Sequence, residues 1–312
     1  RRMTDSLLRL LEAPGAWIPA PDSLSAGFGE VPKVEIDGVT YEQKMDVTSL
    51  LMIGIDKAST DEIKGYRDGG QSDFLLLLVL DHKNKTIRQL QIDRDTMTSV
   101  NVLGLFGNNA GSRVMQICLS HGYGMDRQER CQNSLRAVEG LLNCPEIELY
   151  MEVPLDAIST LNDLLGGVTV TLEDDFTAAD PAMTKGATLT LTREQAVTLV
   201  RRRMAVADGT NETRMTRQRE FMDAAVPLIR EKINESSGFI TTMIDTLTPY
   251  VTTNMVRGRM INEINRAYHY EVEPVQYLSG EHSIGEDGFV EFHADEQSIV
   301  DFVLDAFYTK KE

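Results

Sequence analysis

Hydrophobic runs between residues 48 and 93 predict the strands of a buried β-sheet. The run SLLMIGID, which starts at Ser49, is typical of a buried strand that ends near Gly54 and Asp56. Two further runs, over residues 74–81 and 86–93, flank the polar turn HKNK and predict a hairpin. The first run of this hairpin is apolar enough for a central strand, because such strands are buried on both faces.

Helical and strand patterns alternate in the middle of the chain. Residues 128–142 have apolar positions at helical spacing, and residues 147–153 are strand-like. We expect a helix over 156–165, because Asp156 is a good N-cap residue and Gly166 follows the last apolar position. A short strand over 168–172 is predicted next.

The second half of the chain is predicted to be mostly helical. Thr192 and Gln195 have the spacing of a capping box, which predicts that a helix starts there. A longer helix is expected over about 213–234, and residues 238–268 and 295–308 also have mostly helical patterns. The alternation predicts an α/β sandwich from about residue 46 to the C-terminus, with a central mixed β-sheet flanked by helices.

Residues 1–45 have the pattern of a peripheral segment. Apolar residues at positions 7, 8, 10 and 11 predict a short amphipathic helix, and the Pro-, Gly- and Ser-rich stretch 13–29 predicts a linker. The chain begins Arg1-Arg2 without an initiator methionine, which suggests that an upstream anchor or signal has been removed. Its apolar runs are far shorter than the roughly 18 to 20 residues that a membrane-spanning helix needs.

Acidic residues dominate the charge of the chain. The sequence has 48 Asp and Glu against 31 Lys and Arg, so its formal net charge is −17. Such a chain lacks the positive field needed for general binding to nucleic acid or to an anionic membrane surface. An anionic ligand must therefore be bound by a local basic patch.

The cysteines and histidines do not indicate a metal or redox site. Cys118, Cys131 and Cys144 are spaced 13 residues apart and include no CxxC pair. We interpret them as buried thiols, with one disulfide as an alternative. The five histidines show no ligand spacing, and we interpret His121 as a structural residue rather than a base.

Arginines are concentrated in one segment of 19 residues. They are Arg201, Arg202, Arg203, Arg214, Arg217 and Arg219. A helix would place Arg214, Arg217 and Gln218 on one face, and an extended segment would project Arg201 and Arg203 together. Guanidinium groups suit phosphate or pyrophosphate, because they donate paired hydrogen bonds and keep their charge. The alternative is a solvated basic face paired with nearby carboxylates.

Aspartates lie at the ends of the predicted strands. They are Asp56, Asp73, Asp93 and Asp95. Ligand sites gather at strand ends in α/β sheets, although aspartates there are also common turn formers. Asp56 and Asp73 are a candidate magnesium pair, because Mg²⁺ binds through one or two carboxylates plus substrate phosphate. Together with the arginines, they indicate phosphoryl chemistry.

The order of these motifs resembles the LytR-CpsA-Psr (LCP) family of bacterial cell-envelope proteins. The matching stretches are LLMIGID, SDFLLLLVLDHKNKTIRQLQIDRDT, VEGLLN, LNDLLGGVTVTL, LTREQAVTLVRRR and TRMTRQREF, over roughly residues 46–255. The resemblance implies an extracytoplasmic domain of the cell envelope behind an N-terminal membrane anchor. It implies a phosphotransferase that moves glycopolymer from a polyprenyl-pyrophosphate carrier to peptidoglycan or another wall acceptor, with pyrophosphate hydrolysis in some members.

The resemblance also implies roles for individual residues. Asp56 and Asp73 would hold Mg²⁺, and Asp93 or Asp95 is the candidate base beside Arg94. The implied pyrophosphate ligands are Arg94, Arg201, Arg203, Arg214, Arg217 and Gln218. The polyprenyl chain would lie in an apolar tunnel between sheet and helices, whose lining the sequence does not identify.

Four positions depart from the family pattern. Gln71 replaces an arginine, Gln116 and Cys118 replace the lysine and asparagine of a Lys-Ile-Asn motif, and Asp93 replaces a proline. The loss of two cations predicts weaker anion binding, since a charge-assisted hydrogen bond contributes roughly 1.5 to 3 kcal/mol. The alternative function is therefore a module that binds polyprenyl phosphate or wall glycan without turnover. Direct transcriptional regulation fits poorly, because this acidic chain has no DNA-binding helix motif.

Overall fold

The structure is a computed structural model that describes residues 31–55, 57, 70–201 and 211–311. For residues 211–214 it describes the backbone alone. Several sequence predictions therefore fall outside the described residues. These are the N-terminal helix and linker, Asp56, Arg202, Arg203 and the side chain of Arg214.

The described residues form strands in both halves of the chain and helices mainly after residue 126. The strands are β1 Lys33–Ile36, β2 Val39–Gln43, β3 Val47–Ile55, β4 Ser72–Asp81, β5 Thr86–Ile92, β6 Met97–Leu103, β7 Asn109–Gln116, β8 Leu149–Pro154, β9 Thr169–Thr171, β10 Thr188–Thr190, β11 Thr252–Thr253, β12 Glu271–Val272, β13 Gln276–Tyr277, β14 Gly280–Ile284, β15 Val290–Ala294 and β16 Tyr308–Lys310. The α-helices are α1 Arg127–Leu142, α2 Leu155–Leu165, α3 Arg193–Arg201, α4 Asn211–Glu235, α5 Phe239–Leu247, α6 Arg257–Ala267 and α7 Glu296–Phe307. A 3₁₀ helix spans Ile117–Gly122.

A mixed sheet of seven strands lies at the centre of the fold. Its strand order is β11-β8-β3-β4-β5-β12, and β13 also pairs with β5. β3, β4 and β5 are antiparallel neighbours, whereas β8 runs parallel to β3. The predicted hairpin and the predicted α/β sandwich with a central mixed sheet are therefore confirmed.

Side chains of the central strands alternate between the two faces of this sheet. On one face, Leu51 and Ile53 of β3 and Leu77 of β4 are fully buried against α1 and α7, and we call it the packed face. On the other face, Leu50 and Met52 of β3 border a cavity enclosed by α2, α4, α5 and α6, and we call it the cavity face. Successive residues of one strand thus have different surroundings.

The helix-end signals are mostly confirmed. The backbone N–H of Gln195 donates to Thr192 Oγ1 at 3.3 Å, and the N–H of Thr192 donates to Gln195 Oε1 at 3.0 Å. Gly166 ends α2 in the left-handed conformation that glycine favours, with φ 82°. Asp156 as N-cap was wrong, because α2 begins at Leu155, whose N–H donates to the carbonyl of Lys57 at 3.0 Å.

Three hairpins were not predicted from the sequence. β1 and β2, within the segment expected to be peripheral, form a sheet with β16. Asp37 and Gly38 both have positive φ in their turn, so the Asp-Gly pair was the overlooked hairpin signal. β6–β7 and β14–β15 form two further hairpins, joined where Gln116 Nε2 donates to the carbonyl of Val290 at 2.8 Å. No helix in the described part of the chain is long and apolar enough to cross a membrane.

Candidate functional site

A large apolar cavity separates the cavity face of the sheet from the helices. Its volume is about 260 Å³. Its walls include Leu50, Met52, Leu149, Met151 and Val153 from the sheet, Ala157, Ile158 and Leu161 from α2, Met222, Ala225, Val226 and Ile229 from α4, Met243 and Ile244 from α5, and Met260 and Ile264 from α6. The sheet residues meet because Leu50 pairs with Leu149 and Met52 with Met151. The apolar lining makes the cavity suitable for a hydrocarbon ligand.

This cavity adjoins a smaller compartment, which we call the mouth and whose mainly apolar lining includes a few polar side chains. The two spaces share the lining residues Met52, Val153, Ile158 and Met222, so they are neighbours. The mouth is also lined by Asp73, Arg201 and Gln218. The structure thus brings together three residues that the sequence predicted for the site, beside an apolar space.

A β-bulge places Asp73 at the mouth. In the β3–β4 ladder, Gly54 pairs with Phe74 but Ile55 pairs with Ser72, so Asp73 has no opposite residue. Such a bulge changes the direction of the side chain it carries. Glycine is needed opposite Phe74, because a Cβ atom on Gly54 would lie 2.8 Å from the Phe74 Cβ.

Arg94 lies directly behind Asp73. Its Nη1 donates to Asp73 Oδ1, its Nη2 donates to Gln71 Oε1, and Nη2 is 3.3 Å from Cys118 Sγ. Its Nε is 3.4 Å from Asp95 Oδ1. Burial opposes the positive charge, but Cys118 and the two carboxylates outweigh it and raise the pKa of Arg94. Burial also raises the pKa of Cys118 to about 11, so its sulfur is a thiol at neutral pH.

Arg94 lies in the turn after β5, and hydrogen bonds within this turn hold its backbone. Asp93 Oδ1 accepts from the N–H of Asp95 at 2.8 Å, and the Asp93 carbonyl accepts from the Thr96 hydroxyl at 2.6 Å. Asp93 Oδ2 is 3.2 Å from His282 Nε2. Asp93 and Asp95 are not among the described residues that line the mouth. Their assignment as base stays a prediction, and these contacts favour a supporting role.

The departures from the family pattern have identifiable roles. Gln71 and Cys118, which replace an arginine and an asparagine, accept hydrogen bonds from Arg94. Gln116, which replaces a lysine, donates to the Val290 carbonyl and joins the two hairpins. Two of the four replacements, Gln71 and Cys118, therefore contact Arg94 directly.

Arg217 and Gln218 are adjacent on α4 but have different surroundings. Gln218 lines the mouth, and its Nε2 is 3.5 Å from the carbonyl of Val200. Arg217 is 1% exposed, lies 3.4 Å from Asp174 and stacks 5.6 Å from the centre of the Phe176 ring. The structure does not bring Arg217 to the mouth, and its contacts favour a structural role. Arg217 as a pyrophosphate ligand stays a prediction.

The donor atoms at the mouth fit a magnesium ion. Asp73 supplies a carboxylate, and Gln218 Oε1 is buried with no hydrogen-bond partner among the described residues. Mg²⁺ prefers oxygen ligands and commonly uses one or two carboxylates plus substrate phosphate. Asp56, the second predicted ligand, lies outside the described residues.

The three cysteines are free and buried, which confirms the thiol interpretation. Cys118 belongs to the Arg94 cluster, whereas Cys131 and Cys144 lie in the core of the packed face. Cys131 is also close to His121 and Glu152, and all three side chains are fully buried. Sequence spacing did not indicate this second cluster, because its members come from three separate elements.

Comparison with characterised relatives identifies transferases of the cell wall. TagU of Bacillus mycoides (strain KBAB4), named a polyisoprenyl-teichoic acid--peptidoglycan teichoic acid transferase, is 28% identical over 222 residues. That alignment covers 70% of this chain and 64% of TagU. TagV of Bacillus subtilis (strain 168), a transferase of the same name, is 30% identical over 155 residues, which cover 50% of this chain and 34% of TagV. The chain thus spans less than two thirds of the length of these relatives.

Solved structures show the same fold. Protein gbs0355 from Streptococcus agalactiae has a TM-score of 0.68 and 20% identity, with 84% of this chain and 86% of that chain covered. The structure of TagT bound to LI-WTA has a TM-score of 0.63 and 22% identity, with 84% and 90% covered. The model of the LytR_cpsA_psr family matches residues 28–303. The chain therefore belongs to the LytR-CpsA-Psr family.

Proposed function

We propose that this protein transfers a glycopolymer from a polyprenyl-pyrophosphate carrier to peptidoglycan or another cell-wall acceptor. The observation that carries the proposal is an apolar cavity beside a mouth whose lining includes Asp73, Arg201 and Gln218. A ligand that matches both parts has a long hydrocarbon chain and a charged headgroup. The names of the relatives, which are teichoic acid transferases, support the same substrate class.

The polyprenyl chain would occupy the cavity. Its walls are almost entirely aliphatic or thioether side chains, such as Leu50, Met151 and Ile264. Burying hydrocarbon there gains roughly 25 cal/mol for each Å² removed from water. This gain is nearly independent of the glycan. The cavity would therefore recognise the lipid carrier rather than one particular polymer.

The pyrophosphate would lie at the mouth. Arg201 ends α3 there and supplies a guanidinium, and the carboxylate of Asp73 is held from behind by Arg94. When bound, Mg²⁺ would be held by Asp73 and Gln218 and would balance negative charge on phosphate oxygens. Arg94, a buried cation, pairs with Asp73 and would fix the orientation of this carboxylate.

In the proposed transfer, an acceptor hydroxyl attacks the phosphorus that carries the glycan. A new P–O bond to the acceptor forms, and the bond to the bridging oxygen of the pyrophosphate breaks. Polyprenyl monophosphate leaves, and the proton of the acceptor hydroxyl passes to solvent. With water as acceptor the same step is hydrolysis. Arg201 would stabilise the negative charge that moves to the leaving phosphate.

The turn residues Asp93 and Asp95 would act as positioning residues in this reaction. Asp95 contacts the Arg94 guanidinium, and Asp93 holds the turn and contacts His282. Their removal would shift Arg94 and thereby Asp73. An extracytoplasmic, membrane-anchored location agrees with this substrate, because the carrier lipid is membrane-embedded and the acceptor is the wall.

Phosphate release from a short polyprenyl pyrophosphate tests the proposal. We would compare wild type, Asp73→Asn, Arg201→Ala and Arg193→Ala, each with and without Mg²⁺. Arg193 is the matched control, because it lies on the same helix as Arg201, pairs with Asp163 and does not line the mouth. Arg201→Ala should weaken substrate binding roughly 10- to 100-fold, the equivalent of one charge-assisted hydrogen bond. Arg193→Ala should behave as wild type.

A second candidate function is binding of the lipid without turnover. Arg94 donates hydrogen bonds to Asp73, Gln71 and Cys118. These bonds favour the second function, because they engage a guanidinium that would otherwise be available to the anionic headgroup. Tight binding that Arg201→Ala abolishes, with no phosphate release from wild type, would establish this alternative. Phosphate release that does not depend on Mg²⁺ would contradict both functions. A loss in Arg193→Ala equal to that in Arg201→Ala would also contradict both.

A further inference from the structure

Three side chains that commonly bind metals converge beneath α1 on the packed face of the sheet. They are His121 of the 3₁₀ helix, Cys131 of α1 and Glu152 of β8, and each is fully buried. His121 Nε2 lies 2.7 Å from Glu152 Oε2, and Cys131 Sγ lies 3.6 Å from the same oxygen. All three donor atoms are within 4.8 Å of one another. This cluster is separate from the mouth, which lies on the other face.

The donor set is selective for one class of cation. One imidazole nitrogen, one sulfur and one carboxylate oxygen are the ligands that zinc uses in proteins. Magnesium and calcium bind oxygen and do not take a thiolate. For zinc bond lengths of about 2.0 to 2.3 Å, tetrahedral geometry places ligand atoms about 3.3 to 3.7 Å apart. The Cys131–Glu152 separation already matches, and the His121–Glu152 separation needs to open by roughly 0.5 Å.

The charges of the cluster also balance with a divalent cation. A Cys131 thiolate and a Glu152 carboxylate carry two negative charges, and His121 binds as neutral imidazole. Binding releases the Cys131 thiol proton to solvent, and the Nε2 lone pair of His121 turns to the ion. The neighbouring Arg130 is balanced by Asp126 as well as by Glu152. A neutral cluster avoids the cost of leaving charge in the core.

A contact outside the three ligands orients the carboxylate. The hydroxyl of Thr252, on β11, donates to Glu152 Oε1 at 3.3 Å. Ligand carboxylates in metal sites are usually held by such hydrogen bonds. This leaves Glu152 Oε2 as the atom shared with His121 and Cys131.

We propose that His121, Cys131 and Glu152 bind a structural zinc ion that joins the 3₁₀ helix, α1 and β8. The 3₁₀ helix also forms the back of the candidate site, because the N–H of Ile117 donates to the Thr96 carbonyl and that of Cys118 to the Arg94 carbonyl. The ion would therefore fix the element against which Arg94 rests. Because the ligands are buried, the ion enters during folding and leaves only on unfolding.

Elemental analysis of tag-free protein tests this proposal. We would refold wild type, Cys131→Ser and Cys144→Ser with ZnCl₂ and then dialyse each folded protein against EDTA. Cys144 is the matched control, because it is a buried cysteine of the same core. Because the ligands are fully buried, wild type and Cys144→Ser should retain about one zinc per chain, and Cys131→Ser should retain none. Refolding in EDTA should lower the Tm of wild type and Cys144→Ser by several degrees and leave that of Cys131→Ser unchanged.

A spectroscopic variant of the experiment covers the case in which Cys131→Ser does not fold. Wild type refolded with Co²⁺ should show a thiolate-to-cobalt charge-transfer band, and His121→Gln should reduce cobalt retention while preserving a polar side chain. The proposal would be overturned if wild-type protein held no zinc and had the same Tm after refolding with ZnCl₂ and after refolding in EDTA. Zinc that persists in both Cys131→Ser and His121→Gln would also overturn it, because it would be bound elsewhere.

Discussion

The two faces of the central sheet are formed by the same strands, but one is packed against helices and the other borders a cavity. On the packed face, Leu51, Ile53 and Leu77 are fully buried against α1 and α7. On the cavity face, Leu50 and Met52 border an apolar space of about 260 Å³. The residue types are alike, so hydrophobicity does not distinguish a filled core from a cavity. The positions of the surrounding helices do.

This difference separates stability from ligand binding within one sheet. Side chains on the packed face touch protein on all sides and contribute their full burial to folding. Those on the cavity face already border empty space and contribute less to folding. They become fully buried when a hydrocarbon ligand enters.

The largest expected difference in the free energy of unfolding is between Leu51→Ala and Leu50→Ala. The two variants carry the same substitution at adjacent positions on opposite faces of the sheet. Leu51→Ala creates a new cavity in the packed face and should lower the free energy of unfolding by about 2 to 5 kcal/mol. Leu50→Ala enlarges an existing cavity and should cost roughly 1 kcal/mol or less. Urea unfolding of both variants measures this. Equal losses would show that the cavity closes in solution.

Ala306→Phe and Ala157→Phe test the same comparison by adding volume. Ala306 lies in the packed core, so overpacking there should cost about 1 to 3 kcal/mol. Ala157 lines the cavity, so Ala157→Phe should cost less and should block binding of a polyprenyl phosphate. Thermal melts and lipid binding are measured on both proteins. Unimpaired lipid binding by Ala157→Phe would place the lipid outside this cavity.

The smallest expected effect is a pH dependence from Glu220 on α4, one of the helices around the cavity. Burial, followed by the nearby Glu173 and Asp174, raises the pKa of Glu220 to about 7. The folded state then binds more protons than the unfolded state between roughly pH 4.5 and 7, so stability falls as pH rises through that window. Solvent screening limits the change to roughly 1 kcal/mol.

Glu220→Gln should flatten this pH dependence, as followed by urea midpoints between pH 5 and 8. Glu231→Gln, an exposed position on the same helix, is the control and should leave the slope unchanged. A wild-type slope that survives in Glu220→Gln would assign the effect to another group.

Local signals in the sequence predicted local structure well. The β4–β5 hairpin follows from two apolar runs around a polar turn, and the start of α3 follows from Thr192 and Gln195. The motif order also placed Asp73, Arg201 and Gln218 in one site. These predictions depend on neighbours in the chain or on a family pattern that spans it.

The remaining features depend on contacts between distant segments. Leu50 and Leu51 are identical residues, so no pattern shows which of them borders the cavity. The replacement Gln71 predicted only a loss of charge, whereas the contacts of Gln71 and Cys118 with Arg94 required the fold. The convergence of His121 and Cys131 with Glu152 likewise needed three elements to pack together.

Sulfur is unusually frequent in the cavity walls. Six methionines line the space: Met52, Met151, Met222, Met243, Met255 and Met260. Unbranched thioether side chains change rotamer easily, so the walls can adapt to chains that differ in length or in double-bond geometry. The same atoms are oxidised to polar sulfoxides, which would give the apolar space a polar wall. Adaptability and sensitivity to oxidants therefore have one chemical origin in this protein.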